Sequence, residues 1–416
     1  MAKKKFDIYV YAHWQGMDVP IEMGILSAHF GKGKKAFSFQ YNKDWIKSKH
    51  QILIDPDIQF FSGPQYPNNK ENFGFFLDSM PDTWGKTLMK RRAAQEALVK
   101  GEKAPNLYEI DYLLGVYDKT RMGALRFKTD PNGPFLDHNE NNPTPPWTSA
   151  GELQEAVAQF ENDNDNETVK KWLNVLIAPG SSLGGARPKA NILDHENNLW
   201  IAKFPSKSDT TDKAAWELLA YQLAIAAGIK MAPSKIEKIA RKYHTFFTKR
   251  FDREKEERIH FASAMTLLGK TEESIRDNPG SYLEIAEFIQ TFGANIEENL
   301  QQLWKRIVFN IAISNTDDHL RNHGFLLTNA GWVLSPAFDI NPSAEKEGLA
   351  LNIDMENNAL DINLAKSVGP YFRLNESQMQ HIIQEVAKAV STWKSAASKL
   401  GIPKKEQEIM ATAFRF

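Results

Sequence analysis

Ser314-Asn315-Thr316-Asp317-Asp318-His319-Leu320-Arg321-Asn322 is the stretch on which the reading of this 416-residue chain turns. Asp317 is followed five positions later by Asn322. That is the spacing at which a phosphoryl-transfer loop keeps a proton-accepting carboxylate and an amide oxygen that holds Mg²⁺. Taken alone such a pair is more often a polar turn, so its surroundings decide. Upstream, Leu300, Leu303, Trp304, Ile307, Val308 and Ile311 recur at helical spacing and predict a helix with one buried face, running to Ser314. Downstream, Gly324 to Leu327 and Trp332 to Leu334, separated by Asn329-Ala330-Gly331, predict a hairpin that leads into Ala337-Phe338-Asp339-Ile340. Kinases place a second metal-binding Asp after such a hairpin, so Asp339 is the candidate to share Mg²⁺ with Asn322.

A second cluster lies upstream, at Pro179-Gly180-Ser181-Ser182-Leu183-Gly184-Gly185-Ala186-Arg187-Pro188-Lys189. Small residues and adjacent glycines let main-chain amides approach a polyphosphate, because no Cβ blocks the path and positive φ costs little. The spacing matches neither the dinucleotide fingerprint nor the Walker loop. The cluster runs into a predicted hairpin, Ala190 to Leu193 and Leu199 to Phe204, whose second strand carries Lys203 in an apolar run. A kinase uses a Lys there to hold the α- and β-phosphates and pairs it with a Glu of the next helix, here Glu217, after Asp212. Each signal is weak by itself. Their order is not: flexible loop, Lys strand, Glu helix, buried helix, Asp-x-x-x-x-Asn, hairpin, Asp.

The first part of the chain reads differently. Phe6 to Tyr11 and Ala36 to Tyr41 alternate with period two, as half-buried strands do. A helix is expected from Met80 to Val99, opened by Pro81-Asp82, and a strand from Ala124 to Phe127. Asp, Asn, Gly and Pro then dominate to Trp147, a composition of turns and extended chain. Ser149-Ala150-Gly151-Glu152 has capping-box spacing and opens the next helix. Near the end, helices are expected at Gln378 to Leu400 and Lys404 to Ala413. The organisation is therefore 1–130, a small N-terminal α+β domain; 131–148, a linker; 149–253, a kinase N-lobe; and 254–416, a helical C-lobe. The fold class is α+β: a small N-terminal α/β domain followed by a protein-kinase-like bilobal domain whose C-terminal lobe is largely helical.

Composition narrows the function. Hydrophobic residues make up 42% and charged residues 25%, the balance of a globular protein. The formal net charge of −1 provides no global attraction to nucleic acid or acidic membrane. There is no cysteine, which excludes disulfides, thiolate metal sites and thiol catalysis and points to the cytoplasm. The basic start, Met1 to Lys5, precedes strand-like text and reads as a solvated tail; no stretch approaches the roughly 18 apolar residues of a membrane helix. The histidines, His244 and His260 among them, show no zinc-protease spacing, and no zinc is expected.

Ser182 to Lys189, Arg250-Phe251-Asp252-Arg253, Asn315 to Asn322 and Phe338-Asp339 together resemble the HipA-like kinases of bacterial toxin–antitoxin modules. The resemblance extends into the first domain through Phe73 to Asp82 and Arg121 to Leu125, so it covers nearly the whole chain. It implies ATP and Mg²⁺ as cofactors, Asp317 as catalytic base, His319 as catalytic-loop support, Asn322 and Asp339 as metal ligands, and Lys203 with Glu217 at the phosphates. Gly184 and Gly185 belong to the loop over the phosphates, and Phe251 to the hinge that receives adenine. It further implies autophosphorylation at Ser182, with Ser181 adjacent. Asp318 and Arg321 depart from the family's pattern and bear on substrate preference. The function implied is a serine/threonine protein kinase that halts growth or translation. Its target class includes aminoacyl-tRNA synthetases, and its partner is a helix-turn-helix HipB-like antitoxin that carries the pair to DNA. Two other readings stay open: a non-catalytic, antitoxin-binding co-repressor and a small-molecule kinase.

Overall fold

The computed structural model describes residues 4–31, 34–136, 144–162, 176, 185–345 and 347–416. The chain divides into two compact units, each drawn from two stretches of sequence. The first takes Met1–Ile201 and Asp252–Thr271, the second Ala202–Phe251 and Glu272–Phe416.

In the first unit, strands β1 (Lys4–Ala12), β2 (Ile21–Gly31), β3 (Lys34–Tyr41) and β4 (Leu125–Lys128) form an antiparallel sheet in the order β3-β2-β1-β4. Ile8 faces Leu26 and Val10 faces both Gly24 and Phe127 across the ladders. The alternation expected on β1 and β3 is real: Ile8, Val10, Phe37, Phe39 and Tyr41 are all buried. The sequence reading misses β2, the strand between them. Gly24 in its middle explains the weak signal and is required, since a Cβ there would meet the carbonyl oxygen of Gln40 at 2.2 Å.

Phe39 gathers Phe73, Phe75 and Phe76 edge-on, with ring centroids 5.7–6.4 Å away. The helix Thr83–Lys100 follows, with Asp82 as its N-cap accepting from the Gly85 amide at 2.9 Å. It ends at Gly101, whose φ of +69° is the left-handed conformation that closes a helix without strain in glycine. Arg121 is fully buried, its guanidinium donating to the carbonyls of Ser79, Leu113 and Val116 at 2.9 Å each.

The returning stretch 252–271 locks onto these same residues. Asp252 accepts from the Gly123 amide at 2.8 Å, and Asp78 accepts from the Ser263 amide at 2.7 Å. The segments Phe73 to Asp82, Arg121 to Leu125 and Asp252-Arg253, distant in sequence, are thus one packed assembly. The helix Ala150–Glu161 begins where expected, but Ser149 is helical in backbone and its side chain makes no cap bond. Capping-box spacing alone does not select the extended backbone that the N-cap needs.

The hairpin of β5 (Lys189–Leu193) and β6 (Leu199–Lys203) is closed by Asp194, which accepts from the Asn198 amide at 2.8 Å and the Trp200 indole at 2.8 Å. In the second unit, β7 (Ser234–Glu237) and β8 (Thr245–Lys249) pair antiparallel. The helix Lys213–Ala226 is capped by Asp212.

The helix Ile296–Ala312 buries the stripe read from the sequence: Leu300, Leu303, Trp304, Ile307, Val308 and Ile311 are each at most 1% exposed. At roughly 1.5–3 kcal/mol for each large apolar side chain removed from water, this face is the main support of the loop that follows it. The long C-terminal helix expected from Gln378 to Leu400 is two helices, Glu376–Val390 and Trp393–Lys399. At the break, the hydroxyls of Ser391 and Thr392 donate to the carbonyls of Lys388 and Ala389 at 2.8 and 2.7 Å, the competition that bends helices at such residues.

Candidate active site

The second unit brings three of the sequence-selected side chains into direct contact. Lys203, on the last residue of β6, donates to Glu217 Oε1 at 2.6 Å and to Asp339 Oδ1 at 2.8 Å. Glu217 stands one turn into the helix Lys213–Ala226 among the buried Trp216, Leu218 and Leu219. Lys203 and Glu217 are buried, whereas the Asp339 side chain is 29% exposed, so the open side of the ammonium is at Asp339. Burial alone would push the Lys203 ammonium down. The carboxylates of Asp339 and Glu217 outweigh it, and its pKa lies well above the ordinary lysine value.

Asp339 follows the hairpin Gly324–Thr328 and Gly331–Leu334, as expected. Its φ is +57°, the left-handed region that a non-glycine residue occupies at a cost of about 1–3 kcal/mol and that recurs at functional sites. The segment that follows it is tied to the loop 314–322. The Asn341 amide donates to Asn315 Oδ1 at 3.3 Å, and the Ser343 amide to the Ser314 carbonyl at 3.1 Å. The Lys203–Glu217–Asp339 contact and the loop 314–322 therefore belong to one unit.

Within that loop Asp317 is exposed and Asn322 is buried. The Asn322 Nδ2 donates to the Asp317 carbonyl at 3.0 Å, which fixes the amide so that its Oδ1 is the buried atom left without a hydrogen-bond partner. An orphaned amide oxygen and the Asp339 carboxylate are hard oxygen donors of the kind Mg²⁺ takes, so the residues present fit that ion. Among the described residues no cluster of three His, Cys, Asp or Glu side chains forms a closed metal cage. Mg²⁺ held by one or two protein oxygens and completed by phosphates does not need one. His319 is half-buried, and its carbonyl accepts from the Asn322 amide at 2.8 Å, closing the turn.

Sequence reasoning misses the support beneath this loop. Asp318, read as a position bearing on substrate preference, points inward and is buried. Its Oδ2 accepts from the Tyr282 hydroxyl and from Asn310 Nδ2 at 2.8 Å, and pairs with His323 Nε2 at 2.7 Å. Burial pushes its carboxyl up, but the His323 imidazole and the bonds from His323 and Tyr282 bring the net pKa below the ordinary value. Asn315 Nδ2 donates in turn to Asn310 Oδ1 at 3.0 Å. Two adjacent aspartates thus divide the work: one is anchored, and the other is presented to solvent. Local sequence carries no sign of which is which.

The Phe251 ring lies 5.6 Å from that of Phe338, the residue before Asp339. Gly185 belongs to the first unit, with φ of +77°, and its carbonyl accepts from Lys189 Nζ at 3.2 Å. Ser181, Ser182 and Gly184 lie outside the described residues.

The family model of the HipA-like C-terminal domain matches residues 181–393. Among solved structures, the chain is similar to the Shewanella oneidensis MR-1 toxin–antitoxin system of HipA, HipB and its operator DNA. The TM-score is 0.66 at 17% identity, over 98% of this chain and 94% of that one. That likeness establishes the fold. The Helicobacter pylori proinflammatory kinase CtkA matches 51% of this chain and 94% of its own at 14% identity, with a TM-score of 0.35, too slight to bear on the fold. The comparison with curated proteins finds no match. A domain model that spans more than half of the residues, over the very stretch that holds Lys203, Glu217, Asn322 and Asp339, assigns the chain to the HipA-like family.

Proposed function

We propose that this protein is an ATP-dependent serine/threonine protein kinase and the toxin of a type II toxin–antitoxin module. The observation that carries the reading is the Lys203 ammonium held by Glu217 and Asp339. A buried lysine fixed by a helix glutamate is the arrangement that receives α- and β-phosphates. Entering phosphates compete with Asp339 for that ammonium, while Glu217 keeps it in place. Mg²⁺, when bound with the nucleotide, neutralises charge on the phosphate oxygens, and Asn322 and Asp339 are the residues that would hold it.

The exposed Asp317 accepts the proton of a substrate hydroxyl. The hydroxyl oxygen bonds to the γ-phosphorus as the bond from that phosphorus to the departing ADP oxygen breaks. His319 supports the loop from which Asp317 acts. Gly184 and Gly185 cover the phosphates, and Phe251 lines the adenine end. Ser182 is the site of self-phosphorylation, with Ser181 its neighbour. A phosphoserine there adds about two negative charges that oppose those of ATP.

The substrate is a protein hydroxyl, with an aminoacyl-tRNA synthetase as the candidate target. The partner is a helix-turn-helix HipB-like antitoxin, a reading supported by the Shewanella structure, which contains HipB and operator DNA with HipA. DNA is then reached through the partner, in keeping with a net charge of −1. No helix among the described residues is long and apolar enough to cross a membrane, and we place the activity in the cytoplasm.

The decisive experiment is incubation with γ-labelled ATP and host lysate, followed by identification of the labelled proteins. Label that appears with the natural protein and is absent with Asp317→Asn supports the reading. Identical patterns for the two proteins overturn it.

A further inference from the structure

Arg306 lies in the helix Ile296–Ala312, one turn before Asn310, and is 3% exposed. A guanidinium carries several N–H groups, and a buried one is ordinarily satisfied by the atoms around it. Here Nη2 donates to the Ser335 carbonyl at 2.5 Å, while Nε and Nη1 are buried without a hydrogen-bond partner among the described residues. Arg121, in the first unit, shows the architectural use of such a group, since its guanidinium reaches three carbonyls. Arg306 is buried for one bond, at a desolvation cost that an apolar side chain of similar length would avoid.

That bond holds the start of the segment leading to Asp339. Ser335 follows the strand Gly331–Leu334, and its amide donates to the Gly324 carbonyl at 2.8 Å, just past Asn322. Two residues on, the Ala337 amide donates to the Lys230 carbonyl at 2.8 Å. The main chain is thus gripped three times before Asp339, and of these grips Arg306 supplies the one made by a side chain. Beyond Asp339 the amides of Asn341 and Ser343 are bonded to the loop 314–322. Between the two sets of anchors Asp339 keeps its φ of +57°, a backbone state that persists in a non-glycine residue only where its surroundings fix it.

The charge of Arg306 has its counterpart in the loop that carries Asp317. Burial lowers the guanidinium pKa to about 10, against the pull of Asp318, so the group is a cation at neutral pH. Asp318 is the buried carboxylate bonded to Tyr282, Asn310 and His323. A buried cation on the Asp339 side and a buried anion on the Asp317 side attract each other through an interior that screens them little. The plainer alternative is a strut that stabilises the fold and nothing more. It explains the bond to Ser335, but a neutral amide would make that bond with fewer bare N–H groups, whereas Asp318 calls for a cation.

We infer that Arg306 is a positioning residue for the metal site: through the Ser335 carbonyl it sets where the Asp339 carboxylate stands relative to Asn322. The inference rests on the Mg²⁺ role proposed above for those two residues. Calorimetric titration of the full chain with Mg²⁺, in saturating AMP-PNP, a non-hydrolysable ATP analogue, is the direct test. Arg306→Met removes the donor and the charge at similar volume and should weaken Mg²⁺ binding about tenfold. Binding of AMP-PNP without metal, which depends on Lys203 and Glu217, should be unchanged. Arg306→Lys keeps a cation and a donor and should recover most of the Mg²⁺ affinity.

Ile382→Ala separates positioning from mere loss of stability. Ile382 is 1% exposed in the helix Glu376–Val390, so its truncation should lower the melting temperature while leaving Mg²⁺ affinity at the natural value. Should Arg306→Met not fold, Arg306→Gln, neutral and shorter, takes its place with the same expectation. Natural Mg²⁺ affinity in the neutral variant, a loss in Arg306→Lys as large as in that variant, or an equal loss in Ile382→Ala would each overturn the inference and leave the kinase reading standing. A natural protein that binds no Mg²⁺ with AMP-PNP would overturn the kinase reading, and the inference with it.

Discussion

Lys189 and Asp82, more than a hundred positions apart, form an ion pair with Nζ 2.6 Å from Oδ2, in which Lys189 is 1% exposed. The same lysine offers its carbonyl to the Trp84 indole at 3.1 Å and its ammonium to the Gly185 carbonyl at 3.2 Å. The Pro81-Asp82-Thr83-Trp84 segment therefore grips both ends of the residue that closes the glycine-rich stretch. In the sequence these look like two unrelated motifs. In the first unit they are one joint, and Lys189 is committed to architecture.

Breaking that joint on one side leaves a charge buried without its partner. Lys189→Met should destabilise the protein by about 3–5 kcal/mol, while the double change Lys189→Met/Asp82→Asn, which keeps an N-cap oxygen, should recover most of the loss. Denaturant unfolding of the two variants and the natural protein measures this. Equal destabilisation of the single and double variants would contradict it.

The neighbouring aspartates should separate cleanly. Asp317→Asn, at an exposed position, should leave the melting temperature unchanged and lower phosphate transfer by about 10² to 10⁴. Asp318→Asn removes the buried anion that pairs with His323 and should lower the melting temperature by several degrees, corresponding to about 2–4 kcal/mol. Thermal melts beside a transfer assay decide the matter, and a stability loss in Asp317→Asn comparable to that of Asp318→Asn would reverse the assignment of roles.

Glu217→Gln keeps the volume of the side chain but not its charge. Lys203 then keeps only Asp339 as an anionic partner, the group that phosphates displace. We expect a fall of roughly 10² in kcat/KM for ATP with the fold retained. Circular dichroism beside steady-state kinetics tests it, and unchanged kinetics would remove Glu217 from the site.

Asp55 sets a pH dependence of stability. Burial pushes its carboxyl up from 3.8 to about 6, against the opposing pull of the Asp57 and Phe75 amides and of Lys70. The folded state therefore binds this proton more tightly than the unfolded chain does. Its contribution is full below about pH 3.8 and is lost as pH rises through about 6, a change of order 3 kcal/mol. Comparing unfolding of Asp55→Asn with the natural protein from pH 4 to 7 should show the variant gaining relative stability as pH rises. A constant difference across that range would disprove the assignment.

Much of the candidate site was readable because its parts are local. The stripe from Leu300 to Ile311, the hairpin before Asp339 and the Lys203 strand each announce themselves within a few residues, and only their order had to be weighed. What escaped is what depends on distant partners. Gly24 hides a central strand because the reason for it is the Gln40 carbonyl on another strand. The breaks at Ser391 and Thr392 turn on side-chain rotamers. The burial of Asp318 beside the exposure of Asp317 is settled by Tyr282, Asn310 and His323, which no window around the loop contains together.

The interleaving of the two units has a consequence for synthesis. A ribosome must read through Thr271 before the first unit owns all of its residues, and by then Ala202–Phe251 has been synthesised without Glu272–Phe416. Neither unit corresponds to a continuous piece of the gene, so neither can be cut out as a single fragment or inherited as an independent cassette. The nascent chain must carry two unfinished bodies at once, and it completes them in a fixed order, the first at Thr271 and the second only after the stretch Glu272–Phe416.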